Sequence, residues 1–175
     1  MFFYKFFSKA GKDYFVDTDK ITALERQKEL LKVFQDKDKE AFRNMFSREA
    51  IEQIENFDEK TDELFDYFVG DIVSYNEDGP VGTADSFERS GKKQKKLFQS
   101  FNVKTSVEEY RMAMYDCVMN TQEPDKIGIF SLYIVKESES PSYGFAYWGD
   151  GKETIGINIG ITDNAQPHNW SIDGE

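Results

Sequence analysis

Tyr110, Met112, Met114 and Asp116 alternate along the stretch YRMAMYDCV, whose period of two predicts a strand with these side chains on one face. A carboxylate held on an apolar strand face is a candidate general base, because burial lifts its pKa towards neutrality. Tyr110 or Tyr133 would then donate a hydrogen bond to a developing oxyanion. Met112 and Met114 would supply adaptable lining. Asp116 is the catalytic candidate of this reading; the structural alternative is a strand Asp facing outward or held by a hydrogen bond. A lone acid without a defined partner makes catalysis the lesser expectation. A non-catalytic pocket is the greater one, lined by Tyr110, Met112, Met114, Asp116, Tyr133, Tyr147 and Trp148.

Tyr147 and Trp148 belong to the segment SESPSYGFAYWGDGK, where Tyr143 and Phe145 join them. Aromatic side chains offer rigid contact area at low entropic cost, so this segment is expected either to gate a ligand or to close the mouth of the core. The single histidine, His168, follows Pro167 in a polar tail, without the rigid seat a catalytic base requires. Cys117 sits among strand hydrophobes and reads as an inert buried thiol. No Cys/His cluster has zinc spacing, Asp36, Asp38 and Glu40 lack the glycine and final glutamate of a calcium loop, and GINIG precedes no helix. Neither a metal nor another cofactor is expected.

The elements that must position these residues divide the chain in two. From Thr18 to about Phe68 the pattern is helical. Thr18 or Asp19 is expected to cap a first helix carrying Leu24, Leu30, Leu31 and Phe34, Asp38 a second, Ser47 a third and Asp58 a fourth. After Gly70 the period falls to two. A short strand is expected at 71–75, loop at 76–91, long strands at about 93–104, 107–120 and 126–137, and a last strand through Ile155, Ile157, Ile159 and Ile161. Gly156 and Gly160 between those isoleucines point to a bent or closely approached strand. Helices followed by hairpin-linked strands predict an α+β fold, with the helices covering one face of a curved antiparallel sheet.

The 175 residues suit one domain, expected at 19–162 between an N-terminal aromatic extension (1–18) and a polar acidic tail (163–175). Aromatics form 15% of the chain, enough for a core that needs no disulfide or metal. A formal net charge of −11 repels phosphate backbones, so nucleic acid is not an expected partner, whereas a basic protein is. Lysines 92, 93, 95, 96 and 104 read as an edge or outward strand guarded against aggregation, or as a docking patch for an acidic partner. No apolar run is long enough for a transmembrane helix.

ALERQKELLKVFQDKDKEAFRNMFS resembles the opening of the nuclear-transport-factor-two-like (cystatin-like) superfamily: a helix, a short DKD break, and a second helix ending in phenylalanine before a polar residue. The remainder, through DELFDYFVGDIVSYNEDG and the closing TIGINIGI, is most similar to an uncharacterised bacterial family within it, domain of unknown function 5104. The resemblance implies a cone of helices against a bent sheet, with a pocket between them for a small apolar ligand or peptide, and a sheet face through which homodimers form. By analogy with immunity proteins of the superfamily, an acidic docking face for a basic partner is the alternative. The family implies a cell-surface lipoprotein; with no leader or lipid-acceptor cysteine in this sequence, the residues alone lead to the cytoplasm.

Overall fold

The computed structural model describes residues 3–77, 79, 81–87, 91–139 and 154–160, with side chains from Thr18 onward. Helix α1 (Phe3–Asp36) is continuous through the expected start at Thr18 and Asp19. No proline interrupts that stretch, and Asp19 instead reaches across to Lys95 of the sheet at 2.7 Å. The helix ends where Lys37 turns left-handed (φ 50°); the Lys37 amide donates to Phe34 O (3.3 Å) and the Asp38 amide to Val33 O (3.2 Å), a Schellman closure.

The next caps fall where the sequence places them. Asp38 accepts from the Ala41 amide at 2.9 Å and opens α2 (Lys39–Met45), and Ser47 accepts from the Ala50 amide at 3.1 Å and opens α3 (Arg48–Gln53). In α4 (Phe57–Tyr67) the cap position moves to Asn56, itself left-handed at φ 55° and making no side-chain cap bond, while Asp58 lies inside the first turn. An acid there still faces the positive end of the helix dipole.

Six strands follow: β1 (Ile72–Glu77), β2 (Gly82–Phe87), β3 (Lys93–Thr105), β4 (Glu109–Asn120), β5 (Gly128–Lys136) and β6 (Gly156–Ile159). They form one sheet in the order β1-β3-β4-β5-β6, with β2 pairing β3 beside β1. Three expectations are corrected. The stretch 76–91 contains β2, an exposed strand held by backbone pairing from Gly82↔Phe98 to Phe87↔Lys93. Polar TADSF has no alternating apolar face to announce it. The sheet is also mixed, because β6 pairs β5 in parallel. The chain between them exceeds the dozen or so residues that a parallel crossover requires. Nor does the lysine-rich β3 form an edge: β1 and β2 border it on one side and β4 on the other.

The core lies between the helices and one face of the sheet. Phe34 packs edge-on against Phe42, Phe65 and Phe68 at centroid distances of 5.9, 5.7 and 4.9 Å. Phe101, Met112, Met114, Ile129, Leu132 and Ile134 meet them from the strands and are fully buried. Gly156 bears out the close approach read from the sequence: its φ is +122°, and a Cβ there would stand 3.2 Å from Ile54 Cγ1. At the far end of the core, the Tyr110 hydroxyl donates to Tyr67 O and accepts from the Val69 amide, both at 2.9 Å. Tyr110→Phe strands both backbone groups, so chemical denaturation should show a loss of about 1–3 kcal/mol. An unchanged midpoint would mean that water already serves these groups.

Candidate functional site

The residues expected to line a pocket separate into two faces of the sheet. Tyr110, Met112, Met114 and Asp116 do share the helix-side face: they pair with Val103, Phe101, Gln99 and Leu97 of β3. Tyr133 does not join them. It pairs with Ala113 and packs on the opposite face with Tyr115, and its hydroxyl exchanges hydrogen bonds with the backbone of Thr154. Its odd position in β5 sets that face, whereas Leu132 and Ile134 face the helices. Tyr110 and Asp116 are six residues apart on one strand, about 20 Å, too far to act on one small substrate. Met112 and Met114 pack in the phenylalanine-rich core, and neither described cleft is lined by them. Tyr147, Trp148, Tyr143, Phe145 and His168 lie outside the described residues.

Asp116 is only 2% exposed and is held by Arg26 of α1, whose Nε stands 2.6 Å from Oδ2. The same guanidinium reaches Glu29 at 2.7 Å and Met45 O, at the end of α2, at 3.2 Å. Burial pushes the Asp116 carboxyl above the usual carboxylate range, and Arg26 pulls against that shift. Through this guanidinium Asp116 ties α1 and the end of α2 to the sheet. The sequence carried a signal for this: Arg26 falls on the Ala23-Leu30 side of the helical stripe, where a cation requires a partner.

Beside this ion pair, the three long strands lose regular register together. Between Lys95↔Met119 and Lys96↔Cys117 one residue of β4 is left over, and between Tyr115↔Ser131 and Asp116↔Ile129 the residue left over is Phe130 of β5. Such bulges re-aim side chains and bend the strand. An open cleft of about 390 Å³ lies here, lined by Gln94, Lys96, Cys117 and Phe130 of the sheet, Ser47, Glu49 and Ala50 of the α3 end, and Lys126 and Ile155.

Gly128 makes the α3 wall possible. Its φ of +123° lets β5 begin against the turn before α3, where Phe46 and Ile129 form a parallel bridge and the Ser47 amide donates to Ile129 O at 2.9 Å. Lys126 is neutralised by Glu123 (3.0 Å) and Glu49 (3.9 Å). Lys96 sits over the Phe130 ring, its ammonium 4.5 Å from the centroid, with no carboxylate partner among the described residues. Burial pushes the Cys117 thiol up, so it stays protonated and is a poor nucleophile.

No group of His, Cys, Asp and Glu capable of holding a metal occurs among the described residues, and no described helix is long and apolar enough to cross a membrane. On the sheet face away from the helices, Ala113, Tyr115 and Tyr133 are buried within the single chain.

Helices preceding an open mixed sheet, with the central acid locked in an ion pair, define an α+β domain with its cleft at one end of the sheet. The family model for a domain of unknown function, 5104, matches residues 29–137, and the chain belongs to that family. The matched stretch contains every residue of the cleft except Ile155. A search of curated proteins finds no match.

Proposed function

We propose that this protein is a non-catalytic binding protein whose ligand sits in the cleft between α3 and the bulged strands. The observation that carries the reading is the cleft itself. It is about 390 Å³, within the usual range of roughly 300–1,000 Å³ for ligand sites, and it combines apolar and charged lining. We read the fold as a nuclear-transport-factor-two-like cone, supported by the order of four helices before a sheet interrupted by bulges. In that reading Phe34, Phe42, Phe101, Met112 and Met114 fill the interior, and ligand binding shifts to the open end. The ion-paired state of Asp116 favours binding over catalysis.

An acidic docking face for a basic protein has less support. Glu137 is paired with Arg111, and Glu139 with Lys136 and the Tyr67 hydroxyl, so these acids are engaged within the chain. The test is native mass spectrometry of protein captured gently from its own cells. A reproducible small-molecule mass is expected on the natural sequence and should be lost from Ile155→Trp, which fills the cleft mouth from an exposed position. A mass retained by that variant, or none on either protein, overturns the reading.

A further inference from the structure

Lysines in this chain live among an excess of acids, 33 against 22 bases. Lys95 illustrates the usual outcome, with Asp19 at 2.7 Å and Asp85 at 3.9 Å. Its neighbour Lys96 points to the other side of β3, into the cleft, where it sits over the ring of Phe130 and has no carboxylate partner among the described residues. Phe130 is there because it is the residue left over at the β5 bulge. The register shift that seats the ring and the one at Lys95/Lys96 lie side by side, so two irregularities converge on one ammonium. The cleft's charged lining is Lys96, Lys126 and Glu49. Lys126 is engaged by Glu123 at 3.0 Å and by Glu49 at 3.9 Å, so Lys96 is the cation of the lining that has no carboxylate partner among the described residues. Ala50, Ile155 and the rim of Phe130 supply apolar wall beside it.

We propose, building on the cleft reading above, that the ligand is a small molecule with a carboxylate on a flat apolar body, and that Lys96 binds the carboxylate. A half-buried ammonium already seated by an aromatic ring is pre-oriented, and a charge-assisted hydrogen bond to an anion is its natural completion. The apolar body then lies along Ala50, Ile155 and Phe130. A cationic ligand is disfavoured by the same ammonium.

Three probes share one body and differ in charge: 2-naphthoate, 2-naphthamide and 2-naphthylmethylammonium. Each is titrated into the full chain while the backbone amide signals of Ala50, Cys117 and Phe130 are followed by NMR. Saturable shifts at these residues are expected with 2-naphthoate, about tenfold tighter than with the amide and tighter still than with the cation. Lys96→Met should erase the preference for the acid over the amide. Lys96→Arg should keep it, and Lys104→Met, at the other end of β3, should leave it unchanged. Equal binding of acid and amide in the cleft of the natural sequence overturns the carboxylate assignment and leaves the cleft reading standing. No saturable shift at these residues with any probe overturns both.

Discussion

Arg26→Met is expected to destabilise the protein by about 3–5 kcal/mol, because it leaves a buried carboxylate without its counter-charge. Asp116 is 2% exposed, and its nearest cation is Arg26, at 2.6 Å. The loss should also acquire a pH dependence. Burial already raises the Asp116 pKa, and Glu29 adds a smaller push in the same direction; Arg26 is the opposing influence. Without Arg26 the folded-state pKa rises further above the unfolded value of about 3.9. The folded variant then holds that proton more tightly than the unfolded chain does. Its deficit against the natural protein is therefore greatest above the raised pKa and shrinks as pH falls through it. Urea unfolding of both proteins between pH 7 and 5 checks this. The double variant Arg26→Met with Asp116→Leu should recover most of the stability, since a packed apolar pair of similar volume replaces the ion pair. A single-variant deficit below about 1 kcal/mol, independent of pH, would show that the carboxylate is not sequestered as described.

Gly128→Ala should cost about 2–6 kcal/mol and open the cleft wall. A φ of +123° is nearly restricted to glycine. The added methyl would also stand 2.6 Å from Ser47 N, 2.8 Å from Phe46 C and 2.9 Å from Met45 O, all backbone atoms that a rotamer change cannot move. The turn before α3 must retreat, and the Ser47 amide loses Ile129 O. Hydrogen exchange at Ser47 should accelerate together with the stability loss. Gly91→Ala separates strain from collision: its φ is +87°, but among the described residues, chain neighbours aside, nothing lies within 4 Å of the added carbon. A cost at Gly128 no larger than at Gly91 would mean that the α3 turn yields freely.

Both predictions concern contacts between distant parts of the chain, and this marks where the sequence ceased to be legible. Asp38 and Ser47 were readable as caps because capping is a matter of three or four neighbouring residues. The three long strands, and the common face of Tyr110, Met112, Met114 and Asp116, followed from a period of two. β2 was not readable, because TADSF is exposed on both faces and joins the sheet only through its backbone. Asn56 was missed as the start of α4 because a left-handed cap there forms no side-chain bond. The parallel partnership of β5 and β6 is a property of how the chain crosses, which local pattern does not encode.

The sequence by itself determined the α+β order, the acidic balance, and that Tyr110, Met112, Met114 and Asp116 share one strand face, since each depends on composition or on residues a few places apart. Membership of the family is legible in the same local patterns. Tertiary structure alone decided that Asp116 is neutralised by Arg26, ninety positions away in the chain, and that Tyr133 faces away from it. It also decided that Lys96, Cys117 and Phe130 meet Ser47 and Ala50 at one cleft. The physical reason is register. A single residue left over at a bulge changes which side chains face one another across strands, and that offset is set by how whole strands and helices pack.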